Sequence, residues 1–208
     1  KLYIRRFEEE KELAVHVLLD SSASMDFKTD GASKFDYAGS IAAGFGFLSV
    51  KNHEKFAVAL YADGLRDITQ PKKSKTHLFN VIDLMNSTKL KGTTDFGVSA
   101  SQYVKLIKSR SFSVVISDFI EDIESVREGI YRMAKHSKEM MVIQVLDPWE
   151  LDLGWSDDVK FQDLETGEVK RTYISPSFRR EYAEKIREHN ARIREICSDV
   201  GVEFTTVT

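Results

Sequence analysis

The sequence predicts an α/β domain, a mostly parallel sheet layered between helices. Two observations predict it. Short apolar runs with little polar alternation recur along the chain, as Leu13 to Leu19 (LAVHVLL) shows, and such runs suit strands buried on both faces. Between them lie segments whose apolar residues repeat at helical spacing, so strands and helices alternate through most of the chain.

The Leu13 strand ends at Asp20. Ser33 to Val50 is a helix, with Ser33 as N-cap, Asp36 three residues on, and Phe35, Ala38, Ile41, Ala42, Phe45 and Leu48 at helical spacing. Gly39, Gly44 and Gly46 weaken it, which makes sense if the helix packs closely on the sheet. Phe56 to Tyr61 is the second strand. Asp63-Gly64 is a tight turn, and Leu65 to Thr69 returns as an antiparallel edge strand. Helices follow at Ser74 to Met85 and Thr94 to Ile107, a strand at Phe112 to Ile116, a helix at Ile123 to Ala134 and a strand at Met140 to Leu146. Trp149 to Asp158 is acidic and irregular. Val159 to Leu164 and Val169 to Ile174 flank a Thr166-Gly167 turn. Ser175-Pro176 opens the longest helix, with Phe178, Tyr182, Ile186, Ile193, Ile196 and Val200 as its apolar stripe. Val202 to Val207 closes the sheet. With no repeat, low-complexity tract or linker, residues 1–208 read as one domain.

Composition narrows the function. A formal net charge of -3 gives no electrostatic footprint for nucleic acid or an anionic membrane. Cys197 is the single cysteine, so no intrachain disulfide forms, and a reducing, cytoplasmic setting is expected. The apolar runs fall far short of the roughly 20 residues that span a bilayer. The chain opens on Lys1 and the strand-like Leu2-Tyr3-Ile4, and is expected to be a fragment of a longer protein, whose remainder could carry an anchor.

Three segments carry the chemistry: Asp20-Ser21-Ser22-Ala23-Ser24-Met25 after the first buried strand, Lys91-Gly92-Thr93-Thr94-Asp95 at a helix start, and Ser117-Asp118 after Val114-Val115-Ile116. Parallel strands share one C-terminal edge, where ligands bind at the point of reversed strand order. If the Leu13 and Phe112 strands are neighbours there, Asp20 and Asp118 face each other. The side chains are carboxylates and hydroxyls, with no sulfur or imidazole at matching spacing. Oxygen-only donors suit hard cations, magnesium first, with manganese or calcium also accepted. Asp20, Ser22 and Ser24 turn to one point while Ser21 and Ala23 face away. The set is too small to enclose an ion, so a coordination position stays open to water, which an acidic side chain of a partner can replace. The first segment alone is a common turn sequence; three segments in order, in matching strand contexts, point to a metal site.

Asp20-x-Ser22-x-Ser24, Thr94-Asp95 and the strand-terminal Asp118 resemble the metal-ion-dependent adhesion site of von Willebrand A domains. The resemblance implies a Rossmann-like three-layer fold and a metal site of Asp20, Ser22, Ser24, Thr94 and Asp118, with Thr93 in place of Thr94 if the loop register differs by one. A narrower resemblance rests on Arg5-Arg6-Phe7-Glu8-Glu9-Glu10, Asp147-Pro148-Trp149-Glu150, Asp163 to Glu168 and the Phe178 to Ile196 helix. These are similar to the prokaryotic domain of unknown function 58, which carries a von Willebrand A core and is commonly encoded beside MoxR-type AAA+ ATPases. It implies a divalent-cation-dependent protein-binding module that acts with such an ATPase, or its client, in assembly or maturation of other proteins.

Other features have plainer readings. Asp26, Asp30 and Asp36 are solvated loop and cap residues rather than a second cation site. Trp149, Glu150 and Trp155 leave the same sheet edge as the metal site and would form a partner-binding rim, although the tryptophans also suit simple packing. His16 is a core histidine. No catalytic residue is assigned. The rival reading is a magnesium-dependent phosphohydrolase using the strand-end aspartates. Phosphatases of the haloacid-dehalogenase type need a second aspartate two residues after the first, and here that position is Ser22.

Overall fold

A computed structural model describes residues 13–107, 111–151, 153, 157–162 and 169–208. Six strands form the main sheet. β1 (Ala14–Asp20) runs parallel to β2 (Lys55–Tyr61) on one side and to β4 (Ser111–Ser117) on the other. β3 (Leu65–Ile68) lies antiparallel on β2, while β5 (Glu139–Val145) and β8 (Glu203–Val207) extend the parallel side. The order β3-β2-β1-β4-β5-β8 reverses direction between β1 and β4. Asp20 and Asp118 therefore leave the sheet at the topological switch point.

Every residue of β1 is buried, as its unbroken apolar run requires. Its side chains divide between two cores. Val15, Val17 and Leu19 pack under α1 (Lys34–Lys51) and α2 (Lys75–Ser87). Leu18 packs under α3 (Phe96–Tyr103), α4 (Ile123–His136) and α6 (Pro176–Asp199). Each fully buried Leu or Val side chain contributes about 1.5–3 kcal/mol. His16 is a core residue held by the Tyr103 hydroxyl at 2.8 Å. Burial lowers it to about 4, so it stays neutral. Cys197 is also buried, and burial pushes its thiol up to about 12.

Ser33 and Asp36 make the expected reciprocal cap on α1. Of the three weakening glycines only Gly46 serves close packing: a Cβ there would stand 2.7 Å from Leu78 and the Phe56 ring, whereas Gly44 faces open space. The Thr94 helix begins later than expected, at Phe96, because the Asp95 carboxylate caps Val98 N and leaves Thr94 in the preceding loop. It ends at Tyr103 and passes into a 3₁₀ turn over Val104–Leu106. The irregular segment after β5 contains a helical turn, α5 (Pro148–Leu151). β6 (Asp157–Gln162) and β7 (Val169–Ile174) pair antiparallel, in a sheet separate from the main one. The α6 stripe is buried only towards its C-terminal end, at Ile193, Ile196 and Cys197, while Phe178 is exposed. No helix among the described residues is long and apolar enough to cross a membrane. Leu2 to Glu10, Trp155 and Asp163 to Glu168 lie outside the described residues.

Candidate metal centre

Three loops meet at the switch point. After β1 the chain turns directly into a 3₁₀ turn at Ala23–Asp26, which rolls Ser22 and Ser24 back over Asp20. Ser22 N donates to Asp20 Oδ1 at 2.8 Å, and the Ser22 and Ser24 hydroxyls share a hydrogen bond at 3.0 Å. The second loop is stitched to the first by Ala23 N on the Gly92 carbonyl and Lys91 N on the Ser21 carbonyl. Gly92 has φ +76° there, a conformation that favours glycine. Thr94 Oγ1 donates to Asp20 Oδ2 at 3.3 Å, while Thr93 is exposed. Ser117, the last residue of β4, donates its hydroxyl to the same Oδ2 at 2.6 Å. Four of the five residues picked from the sequence, Asp20, Ser22, Ser24 and Thr94, thus share one hydrogen-bonded network.

Asp118 stands beside this network and is equally buried, at 1% exposure against 0% for Asp20. Burial, and then the charge of Asp118, raises the Asp20 carboxyl to about 6, against the hydrogen bonds from Ser117 and Ser22. The partners of Asp20 are neutral donors, so its negative charge is only partly compensated. Asp118 Oδ1 accepts from Ile120 N at 3.1 Å. Its Oδ2 holds a group that sequence reasoning passed over, the Lys34 ammonium at 2.8 Å. Lys34 opens α1, where a lysine ordinarily reads as surface.

The loop carrying Asp118 is held from below. Gln144 Nε2 donates to the Asp118 carbonyl, and His189 Nε2 bonds the Phe119 carbonyl at 2.7 Å. Phe119 adopts φ +53°, a backbone state that costs a bulky residue about 1–2 kcal/mol. Its ring packs edge-on against Phe96, and Ser117 Oγ accepts from its N–H. Glu121, likewise unremarked in the sequence, accepts from Phe96 N and Ser125 Oγ. Burial raises its carboxyl to about 7.

Of the expected rim, Trp149 and Glu150 also leave this edge. Glu150 Oε1 reaches Lys34 Nζ at 2.6 Å and Glu150 Oε2 accepts from Asp147 N. Asp147 takes both N–H and O–H of Thr29 and the Trp149 N–H. Those bonds outweigh burial and hold its carboxyl below the usual range. Glu150 is therefore engaged inside the site rather than presented outward. Asp36 is the cap residue described, and Asp26 and Asp30 are exposed.

The donor set suits a hard cation: two buried carboxylates and three hydroxyls, all oxygen. No three histidine, cysteine or carboxylate side chains gather as a metal cluster among the described residues.

The family described as "Protein of unknown function DUF58" matches residues 1–192. An uncharacterized protein of Mycobacterium tuberculosis is 29% identical over 209 residues, covering 99% of this chain and 65% of that relative. The chain thus spans just under two thirds of the relative's length. Among solved structures, a conserved hypothetical protein, BatB, from Bacteroides thetaiotaomicron superposes with a TM-score of 0.56 at 13% identity, covering 94% of this chain and 90% of that one. The SpRpn10 VWA domain gives 0.53 at 13% identity, covering 94% and 88%. The fold is that of a von Willebrand A domain, and the chain belongs to the DUF58 family.

Proposed function

From a DUF58 member with a von Willebrand A fold, we infer a protein-interaction module that works through a divalent cation. The observation that carries this reading is Asp20: a fully buried carboxylate beside a second buried carboxylate, held among the described residues by neutral donors. Asp20, Ser22, Ser24, Thr94 and Asp118 would hold the ion, magnesium first, with manganese or calcium as alternatives. When bound, the ion would supply a positive anchor for an aspartate or glutamate of a partner protein. The protein residues position it and exclude competing solvent. Trp149 would border that surface, with Glu150 anchoring its turn from inside the site, and Trp155 follows in the same segment.

The family resemblance suggests the partner class, a MoxR-type AAA+ ATPase or its client, in a cytoplasmic setting and in assembly or maturation of other proteins. Binding rather than turnover is inferred, since Ser22 stands where an aspartyl phosphatase needs its second carboxylate.

The test is calorimetric titration of magnesium and manganese into the wild type, Asp118→Asn and the Ser22→Ala/Ser24→Ala double variant. One-to-one binding lost in folded variants supports the reading, and capture of an acidic partner should then require the cation. Sustained phosphomonoester turnover abolished by Asp20→Ala would favour the enzyme instead.

A further inference from the structure

We propose that Lys34 is a resident cation of this site, which competes with the metal for Asp118 and carries the site's occupancy to α5 through Glu150. The inference rests on the cation reading above. It begins with a residue in an unfavourable place. A lysine in the first turn of α1 meets the positive end of the helix dipole. Lys34 is also 4% exposed, so its charge is stripped of water. Its ammonium lies 2.8 Å from Asp118 Oδ2 and 2.6 Å from Glu150 Oε1, two ion pairs that offset the lost hydration. The Phe27 ring lies 5.8 Å from the ammonium. The side chain is thus kept in the site by its carboxylate partners.

Those partners give the arrangement its consequence. Of the two Asp118 oxygens, Oδ1 accepts a backbone N–H and Oδ2 accepts from Lys34. A metal approaching Oδ2 meets a positive charge on the same oxygen, and two cations at that separation repel. Metal uptake therefore displaces Lys34 from Asp118. The ammonium's other bond is to Glu150, which also caps Asp147 N. Displacement of Lys34 alters the anchorage of Pro148–Leu151, the turn that carries Trp149. A residue that weakens metal binding in isolation thereby couples metal occupancy to the partner-facing rim.

The experiment uses the whole 208-residue chain with magnesium as probe. Calorimetry compares wild type, Lys34→Arg, Lys34→Met and Lys34→Met/Glu150→Gln. The double variant avoids leaving Glu150 buried without its cation, should the single variant fail to fold. Lys34→Met or the double variant should bind magnesium at least about tenfold tighter than wild type, which corresponds to a 1.4 kcal/mol difference. Lys34→Arg should stay near wild type. In a Trp155→Phe background Trp149 is the only tryptophan. Its emission should shift on magnesium addition when Lys34 is present, and not in Lys34→Met/Glu150→Gln. Binding by a variant when wild type binds nothing also supports the proposal. If wild type binds, Asp118→Asn abolishes binding, and the Lys34→Met variants bind no tighter, the metal site stands and this proposal falls. Absence of binding in wild type and all Lys34 variants overturns both.

Discussion

Ser117 and Asp20, the last residues of two neighbouring parallel strands, are joined across the switch point by a 2.6 Å hydroxyl–carboxylate hydrogen bond. Ser117 Oγ also accepts from Phe119 N. One hydroxyl thus steadies both aspartate-bearing loops.

Ser117→Ala removes the donor to Asp20 and leaves the Phe119 amide without its acceptor. The expected cost is about 1–3 kcal/mol in urea unfolding, the range for orphaning a buried polar group. The Asp20 carboxyl, already raised to about 6, should rise further. Carbon-13 titration of the carboxyl signal measures this directly; an unchanged midpoint would mean that the bond does not tune Asp20.

Cation affinity should depend on pH through the same carboxylate. Below about 6 Asp20 holds a proton that a metal must displace. Affinity should be nearly flat above neutrality and fall by roughly tenfold per pH unit well below 6. Titrations at pH 5, 6 and 7.5 check it, and a pH-independent constant would mean that the metal displaces no proton from Asp20.

Glu121 gives a stability prediction with a definite sign. Its carboxyl titrates at about 7 in the fold, against 4.5 for an ordinary glutamate. Between those values the folded chain holds a proton that the unfolded chain has lost. Stability from this group therefore falls as pH rises from about 4.5 to 7, and the penalty is complete above 7. Glu121→Gln removes it while keeping an acceptor for Phe96 N. The Tm difference from wild type should thus be more positive at pH 8 than at pH 4.5, as read by thermal melts. The reverse order would refute the shift.

Two glycines on one helix should respond oppositely to alanine. Gly46→Ala places a methyl against Leu78 and Phe56 and should cost about 1–3 kcal/mol by overpacking. Gly44→Ala meets nothing and should gain about 0.5–1 kcal/mol of helix propensity. Equal effects would contradict the close approach at Gly46.

The strands, the capped α1 and the order of the aspartate segments were legible because each is local: an apolar run, a cap three residues from its partner, a carboxylate at a strand end. α3 starts two residues later than its sequence pattern suggests because Thr94 and Asp95 both suit a cap, and the Asp95 bond to Val98 N decides between them. Lys34 was illegible for another reason. Its neighbours in the chain say surface helix, and its partners Asp118 and Glu150 stand 84 and 116 positions away. Glu121 is the same case: its burial against Phe96 and Ser125 is a product of packing. Pairing across the fold leaves no periodic trace in a sequence.

β5 and β8 are parallel neighbours, and β6 and β7, lying between them in the chain, pair only with each other among the described residues. The hairpin is therefore an excursion from a crossover whose two ends are fixed elsewhere. Its length sets no register in the main sheet. Over evolutionary time it can be lengthened, shortened or rewritten while the strand order, and the edge from which both aspartates project, remain as they are.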